Sequence, residues 1–321
     1  MAKALEIIDR RSIPSTATES SWKAEDGWEI RRIDWAGRGG AKQARGSILF
    51  LPGRGDHYEK YLETLDYYAA AGWNVTSTDW RGQGLSGRYL DDPHVGHIDD
   101  FSTWIADIRY FYSKWEAEQP GPHVVIAHSM GGHLAMRTAA EGAIHPDALI
   151  LSAPMLCIHT AGLPLSVNHA FARFMVWLGR GERPAWKVSE KPLSAMSLRA
   201  KILTHDPDRY ADELAWWEKR PGVKLGPASW HWIERAIASI RSLEGAGKLE
   251  NMKIPTLLMA TTADQLVSTR RIIADEKRLP HSEILLFGKE AAHELLREVD
   301  EVRDKCLDAM NRFMDEHAPK K

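Results

Sequence analysis

The sequence predicts an α/β protein: a mostly parallel central sheet flanked by helices, with a helical insertion late in the chain. Three observations predict it. Short apolar runs bounded by Gly or Pro recur along the 321 residues and alternate with longer amphipathic segments, as strand-helix-strand units require. Hydrophobic residues make up 44% and charged residues 27%, a globular balance that excludes a disordered, collagen-like or coiled-coil chain. The alternation fails once, over residues 157–250, where helical periods and tryptophans replace strands.

Each element follows from its own pattern. Trp28–Trp35 alternates and reads as an early strand. Ser47–Leu51 is a short apolar run ended by Pro52-Gly53. Trp73–Thr78, His123–Ala127 and Ala148–Ser152 follow, and after the gap come Thr256–Thr261 and Glu283–Phe287. Runs this short suit buried parallel strands. Between them, Asp99 can cap a helix whose Phe101, Trp104, Ile105, Ile108 and Trp115 share one face. Near the C-terminus Leu296, Val299, Val302, Cys306, Met310 and Phe313 repeat at three-to-four spacing, again a helical period.

Residues 157–250 carry fourteen Lys+Arg against ten Asp+Glu, net +4, which leaves −6 for the remainder of a chain whose net charge is −2. Six of the thirteen tryptophans (Trp177, Trp186, Trp216, Trp217, Trp230, Trp232) lie there. Sites in open α/β sheets form at the carboxyl ends of strands, so an insertion leaving from such an end would cover the site. The expected organisation is a core of residues 1–156 and 251–321 with a helical cap of residues 157–250.

Several classes drop out. Forty-two Lys+Arg against forty-four Asp+Glu leave no basic excess for nucleic acid. Cys157 and Cys306 have no metal spacing and make no disulfide framework, so a reducing, cytoplasmic compartment is expected. Lys3, Glu6, Asp9, Arg10, Arg11 and Glu19 leave no room for a signal-peptide core, and no apolar run reaches the roughly 18 residues of a membrane span. There is no phosphate-binding G-x-x-x-x-G-K-[ST] loop. Arg81-Gly82-Gln83-Gly84 is not a dinucleotide fingerprint, and no H-E-x-x-H zinc spacing occurs.

Ile126-Ala127-His128-Ser129-Met130-Gly131-Gly132 follows a strand and opens a helix pattern. It approximates G-x-S-x-G, with Ala127 for the first Gly. A serine on such a sharp turn sits in strained backbone, and bulk two residues to either side would clash. The helix start beneath it favours developing negative charge. The competing reading is a helix-capping serine in a Gly-rich turn.

With this elbow the sequence resembles the α/β-hydrolase superfamily, and within it the lysophospholipase and monoacylglycerol lipase group, also labelled serine aminopeptidase-like hydrolases. Further segments carry the resemblance. Leu51-Pro52-Gly53-Arg54-Gly55-Asp56-His57 is similar to the group's H-G-x-G-[ED]-H loop, with Pro52 for the usual His. Asp79-Trp80-Arg81-Gly82-Gln83-Gly84-Leu85-Ser86 is similar to its D-x-R-G-x-G-x-S turn. Thr262-Ala263-Asp264-Gln265-Leu266-Val267 resembles its acid loop and Ala292-His293-Glu294-Leu295-Leu296 its histidine loop. The order of these motifs is more specific than any one of them.

The resemblance implies an α/β-hydrolase fold with its cap after the sixth strand, and a serine hydrolase acting on monoacyl lipid esters. Ser129 would be the nucleophile, His293 its base and Asp264 the acid that orients the imidazole, in the chain order of this fold. Asp264 could instead be a turn aspartate capping a helix from Leu266, and His293 a helix-start histidine. The backbone N–H groups of Arg54 and Met130 would hold the oxyanion; the competing reading of that loop is an ordinary Gly-rich turn. The Arg54 side chain could also touch a polar headgroup. His94, His97 and His128 are expected to be structural, and Asp79, Arg81 and Ser86 to hold their turn together. Relatives with Asp at the elbow, the dehalogenases and epoxide hydrolases, are excluded by Ser129. No metal or cofactor is needed, and the lipid would be met in solution, in micelles or at a membrane surface. Two rival readings stay open. One is an aminopeptidase of the same fold, which would need an acidic group in a cap that is net positive. The other is a non-catalytic hydrolase-fold interaction protein, although all three triad positions are filled.

Overall fold

Eight strands form one sheet: β1 (Ala17–Lys23), β2 (Glu29–Trp35), β3 (Ser47–Leu51), β4 (Asn74–Thr78), β5 (His123–His128), β6 (Ala148–Ser152), β7 (Thr256–Thr261) and β8 (Ser282–Phe287). The computed structural model describes residues 8–160, 162–186 and 192–320. The spatial order is β1-β2-β4-β3-β5-β6-β7-β8. β1 and β2 are antiparallel to their neighbours and β4 through β8 run parallel. The mostly parallel sheet expected from the sequence is therefore present.

Side-chain alternation sends each parallel strand to both faces. Leu49, Leu51, Val125, Ala127, Leu149 and Leu151 enter one cluster. Ile48, Phe50, Val124, Ile126, Ala148 and Ile150 enter the other. The period of two is what a strand imposes, and burial on both faces explains why these strands read as continuous apolar runs. β1 escaped the sequence reading because ATESSWK lies at the edge and is mostly exposed, so no apolar pattern marks it.

Nine helices are described: α1 (Leu62–Ala70), α2 (Phe101–Glu118), α3 (Ser129–Ala140), α4 (Leu165–Met175), α5 (Pro192–Leu203), α6 (Pro207–Lys219), α7 (Trp230–Ser242), α8 (Thr269–Glu276) and α9 (Asp300–His317). Residues of α2, α3 and α8 pack on the first face, and those of α1 and α9 on the second. Asp100, not Asp99, caps α2: its carboxylate accepts from Ser102 N. The C-terminal stripe is helical only from Asp300, so Leu296 lies in a preceding turn and Val299 at the cap.

Helices α4 to α7 lie between β6 and β7. Part of this segment is built into the main cores. Trp232, Ala236, Ile240 and Leu243 join the cluster of α2 and α3, and Trp216 joins the opposite one. The tryptophans thus divide: Trp216 and Trp232 are core, while Trp177 is 78% and Trp186 49% exposed. Arg10 and Arg11 pair with Asp212 of α6 at 2.6 and 2.7 Å; Lys3 and Glu6 lie outside the described residues. Among the described residues no helix is long and apolar enough to cross a membrane.

Candidate active site

Four loops meet at the carboxyl edge of the parallel strands, after β3, β5, β7 and β8. Ser129 follows β5 directly, with φ of 50°. That left-handed conformation is strained for a residue with a Cβ and lifts the hydroxyl off the strand end. The small neighbours have a steric reason. A Cβ on Gly131 would stand 2.4 Å from Pro52 O, and one on Gly132 would stand 2.9 Å from Pro154 Cβ. One on Gly53 would stand 3.2 Å from Ser129 Cβ. Ala127 is fully buried and its methyl is accommodated where the motif has its first glycine.

The three residues singled out by motif meet here. His293 Nε2 lies 2.9 Å from Ser129 Oγ, and Nδ1 lies 2.7 Å from Asp264 Oδ2. The consistent proton arrangement has Ser129 Oγ–H donating to Nε2 and Nδ1–H donating to the carboxylate. Asp264 Oδ1 accepts from Leu266 N at 2.8 Å and Val267 N at 2.9 Å. Asp264 therefore holds its turn and orients His293 at once, and the helix that follows is capped by Ser268 instead. Burial alone would raise the Asp264 carboxyl, but His293 and the two N–H donors hold it below its ordinary value. Burial would lower His293, and the Asp264 charge outweighs it, so the imidazole is shifted up. Each group stabilises the charged form of the other.

The N–H groups of Arg54 and Met130 donate to no acceptor among the described residues. The loop carrying the first is pinned from beneath. Gly53 N donates to Asp56 Oδ2 at 3.0 Å, and Gly55 N donates to the Gln83 side chain at 2.7 Å. Asp56 also accepts from Lys60 Nζ at 2.5 Å and Tyr61 Oη at 2.8 Å. Lys60 reaches Glu294 Oε1 at 2.7 Å, next to His293. This buried network ties the first loop to the histidine loop. Sequence reading quoted Asp56 and Glu294 but gave them no role; the Asp56/Lys60 spacing of four was the available signal. Asp56→Ala would leave Lys60 short of a buried counter-charge. The expected result is a loss of about 3–5 kcal/mol in stability, measured by urea unfolding, with kcat lowered at least tenfold.

The remaining candidates are structural. His128 is buried, 3.9 Å from Asp56 Oδ2, and burial together with the neighbouring His293 lowers it to about 4, so it stays neutral. Asp79 accepts from Arg31 Nε and Leu85 N. Arg81 pairs with Asp107 and Asp26, and Ser86 Oγ accepts from Arg31 N at 2.9 Å. His97 bonds Ser229 Oγ at 2.9 Å. His97, Asp99 and His231 bring ligand-type atoms within 4.8 Å of one another, as do Glu283, Glu316 and His317; neither group includes Ser129, Asp264 or His293.

A strained serine, a base in reach and an oriented acid are the parts needed to activate a hydroxyl nucleophile. Known proteins resemble this chain over most of its length. Residues 42–300 match the family described as serine aminopeptidase, S33. The chain is 30% identical over 289 residues to lysophospholipase L2 of Escherichia coli K12, covering 84% of this chain and 80% of that protein. It is 30% identical over 201 residues to the monoacylglycerol lipase of Mycolicibacterium smegmatis, covering 60% and 67%. A soluble variant of Saccharomyces cerevisiae monoglyceride lipase, solved with a substrate analog, superposes with a TM-score of 0.72 at 18% identity, covering 96% of both chains. The fold, the motif order and the match over most of its length together make this chain a member of the serine aminopeptidase S33 family of α/β-hydrolases.

Proposed function

We propose that this protein is a serine hydrolase of monoacyl lipid esters, working through an acyl-enzyme on Ser129. The observation that carries the reading is the continuous Ser129–His293–Asp264 hydrogen-bond chain on a strained elbow. His293 takes the hydroxyl proton as Ser129 Oγ attacks the ester carbonyl. The N–H groups of Arg54 and Met130 receive the oxyanion. His293 returns the proton to the leaving alcohol, then activates water to release the fatty acid. Residues 157–250 act as the cap over this chemistry.

The lipid substrate is supported by the names of the relatives, lysophospholipase L2 and monoacylglycerol lipase, and by the surface of α4. Leu163, Val167, Phe171, Phe174, Trp177 and Leu178 are all exposed. They leave an apolar row on the surface of this segment. Such a row, on a segment of net positive charge, suits contact with an anionic lipid surface. The double variant Phe174→Asp/Trp177→Asp is expected to weaken binding to phosphatidylglycerol vesicles at least tenfold in a flotation assay. The rate ratio between a micellar and a monomeric ester should fall with it. Undiminished vesicle binding would remove the surface role.

The family description favours a second reading, an aminopeptidase. Its substrate amine would need a carboxylate with spare capacity beside the site. Asp56, Glu213 and Glu294 are buried near it, and each is already held by Lys60, Arg199 or Arg297. The test is kcat/KM on esters of increasing acyl length, a lysophospholipid, a monoacylglycerol and a prolyl anilide. With about 0.8 kcal/mol per buried methylene, the rate constant should rise severalfold per carbon until the site is full. Anilide cleavage faster than any lipid ester would overturn the lipid reading.

A further inference from the structure

Arg54 is a cation with no counter-ion among the described residues. The buried or largely buried arginines Arg31, Arg81, Arg209 and Arg297 each pair with a carboxylate. Arg88 has none, but spends its donors on the carbonyls of Pro93, Gly84, Gly87 and Gly222. Arg54 has no carboxylate among the described residues and gives a single side-chain hydrogen bond, Nη2 to Gly226 O at 2.8 Å. Its Nε is buried without an acceptor. Burial pushes the guanidinium down to about 10, so it still carries its charge at neutral pH.

The surroundings are built to admit this side chain, not to neutralise it. The guanidinium carbon sits 5.1 Å from the Trp232 ring centroid and 5.7 Å from that of Trp186. A Cβ on Gly96 would stand 2.6 Å from Nη2, so the glycine makes the space. Trp232 Nε1 is likewise buried without an acceptor. Cation–π contacts offset part of the desolvation cost but leave the charge uncompensated. A guanidinium with free donors is suited to a phosphate, which it can bind in fork geometry. Because Arg54 is only partly buried and Trp186 is half exposed, a ligand can reach it.

We propose that the Arg54 side chain binds the phosphate of a monoacyl glycerophospholipid while its own backbone N–H binds the oxyanion. This rests on the lipid-ester reading of the site and names the substrate class within it. Chain geometry supports it. In a glycerophospholipid acylated at the terminal carbon, as many covalent bonds separate the acyl carbon from phosphorus as separate an arginine's backbone nitrogen from its guanidinium carbon. One residue can therefore span from the reacting carbonyl to the charged headgroup. The phosphate supplies the missing counter-charge, so the same residue would favour anionic over neutral monoacyl lipids.

The test compares a lysophosphatidylglycerol and a monoacylglycerol of one acyl length on wild type, Arg54→Lys and Arg54→Gln. In Arg54→Gln the ratio of kcat/KM values, anionic over neutral, should fall at least tenfold, mainly through KM. Arg54→Lys keeps the charge and should recover part of that ratio, whereas loss of a merely structural clamp on Gly226 would slow both lipids alike and leave the ratio unmoved. In wild type, sn-glycerol 3-phosphate should quench tryptophan fluorescence and inhibit competitively, and inorganic phosphate should do so more weakly. This arm does not depend on any variant folding. An unchanged ratio in Arg54→Gln overturns the assignment, and so does inorganic phosphate binding as tightly as glycerol 3-phosphate, which would mark a free-phosphate site. Wild type that hydrolyses neither lipid, while Ser129 still takes a fluorophosphonate label, overturns the lipid-ester reading and this assignment with it.

Discussion

Ser129→Ala is expected to lower ester hydrolysis by roughly 10⁴–10⁶-fold and to abolish fluorophosphonate labelling, because loss of a triad nucleophile leaves only binding and oxyanion effects. The variant should remain folded. The strain at Ser129 lies in its φ of 50°, and alanine bears the same Cβ, so the melting temperature should move little. Ser129→Gly separates the two roles. It removes the hydroxyl and also relaxes the left-handed backbone, so it should be equally inactive yet more stable by about 1 kcal/mol, less the entropy glycine adds to the unfolded chain. Together the two variants test whether the elbow stores strain to present its hydroxyl. Full labelling of Ser129→Ala, located by peptide mapping, would move the nucleophile elsewhere.

The Ser129–His293–Asp264 arrangement was legible because each member follows the end of a strand. Strand ends are marked by short apolar runs with Gly or Pro after them, so motif order carried spatial information. The same logic failed where no burial contrast exists. β1 is exposed on most of its length, and Asp99 and Asp100 are adjacent acids that only backbone geometry separates as caps. The tryptophans of the insertion show a related limit. Composition reports how many aromatic rings a segment has, not which way each faces. Trp232 of α7 is core, while Trp177, just past the end of α4, is solvent-facing. The Asp56–Lys60–Glu294 network joins residues more than two hundred positions apart, which no local period can report. That Arg54 meets no carboxylate among the described residues was invisible for the opposite reason: a missing partner leaves no trace in a sequence.

Asp264→Asn is expected to cut kcat by about 10⁴-fold with the fold intact. Asparagine keeps an oxygen that can accept from Leu266 N and Val267 N, so the turn should survive. What disappears is the charge facing His293 Nδ1. The pH dependence should reveal this. In wild type the base must be neutral to take the Ser129 proton. Asp264 shifts His293 upward against its burial, so kcat/KM should fall as pH drops through a value above the ordinary histidine range near 6.5. Removing the carboxylate leaves burial as the main influence, which favours the neutral ring. The acid limb of the residual activity should therefore move to lower pH even as the plateau collapses. His293→Ala should cost at least as much, and the double variant little more than either single one, because the groups act as a unit. An Asp264→Asn enzyme with near wild-type turnover would require another acid, whereas a collapsed plateau with an unmoved acid limb would mean that Asp264 orients the imidazole without setting its protonation.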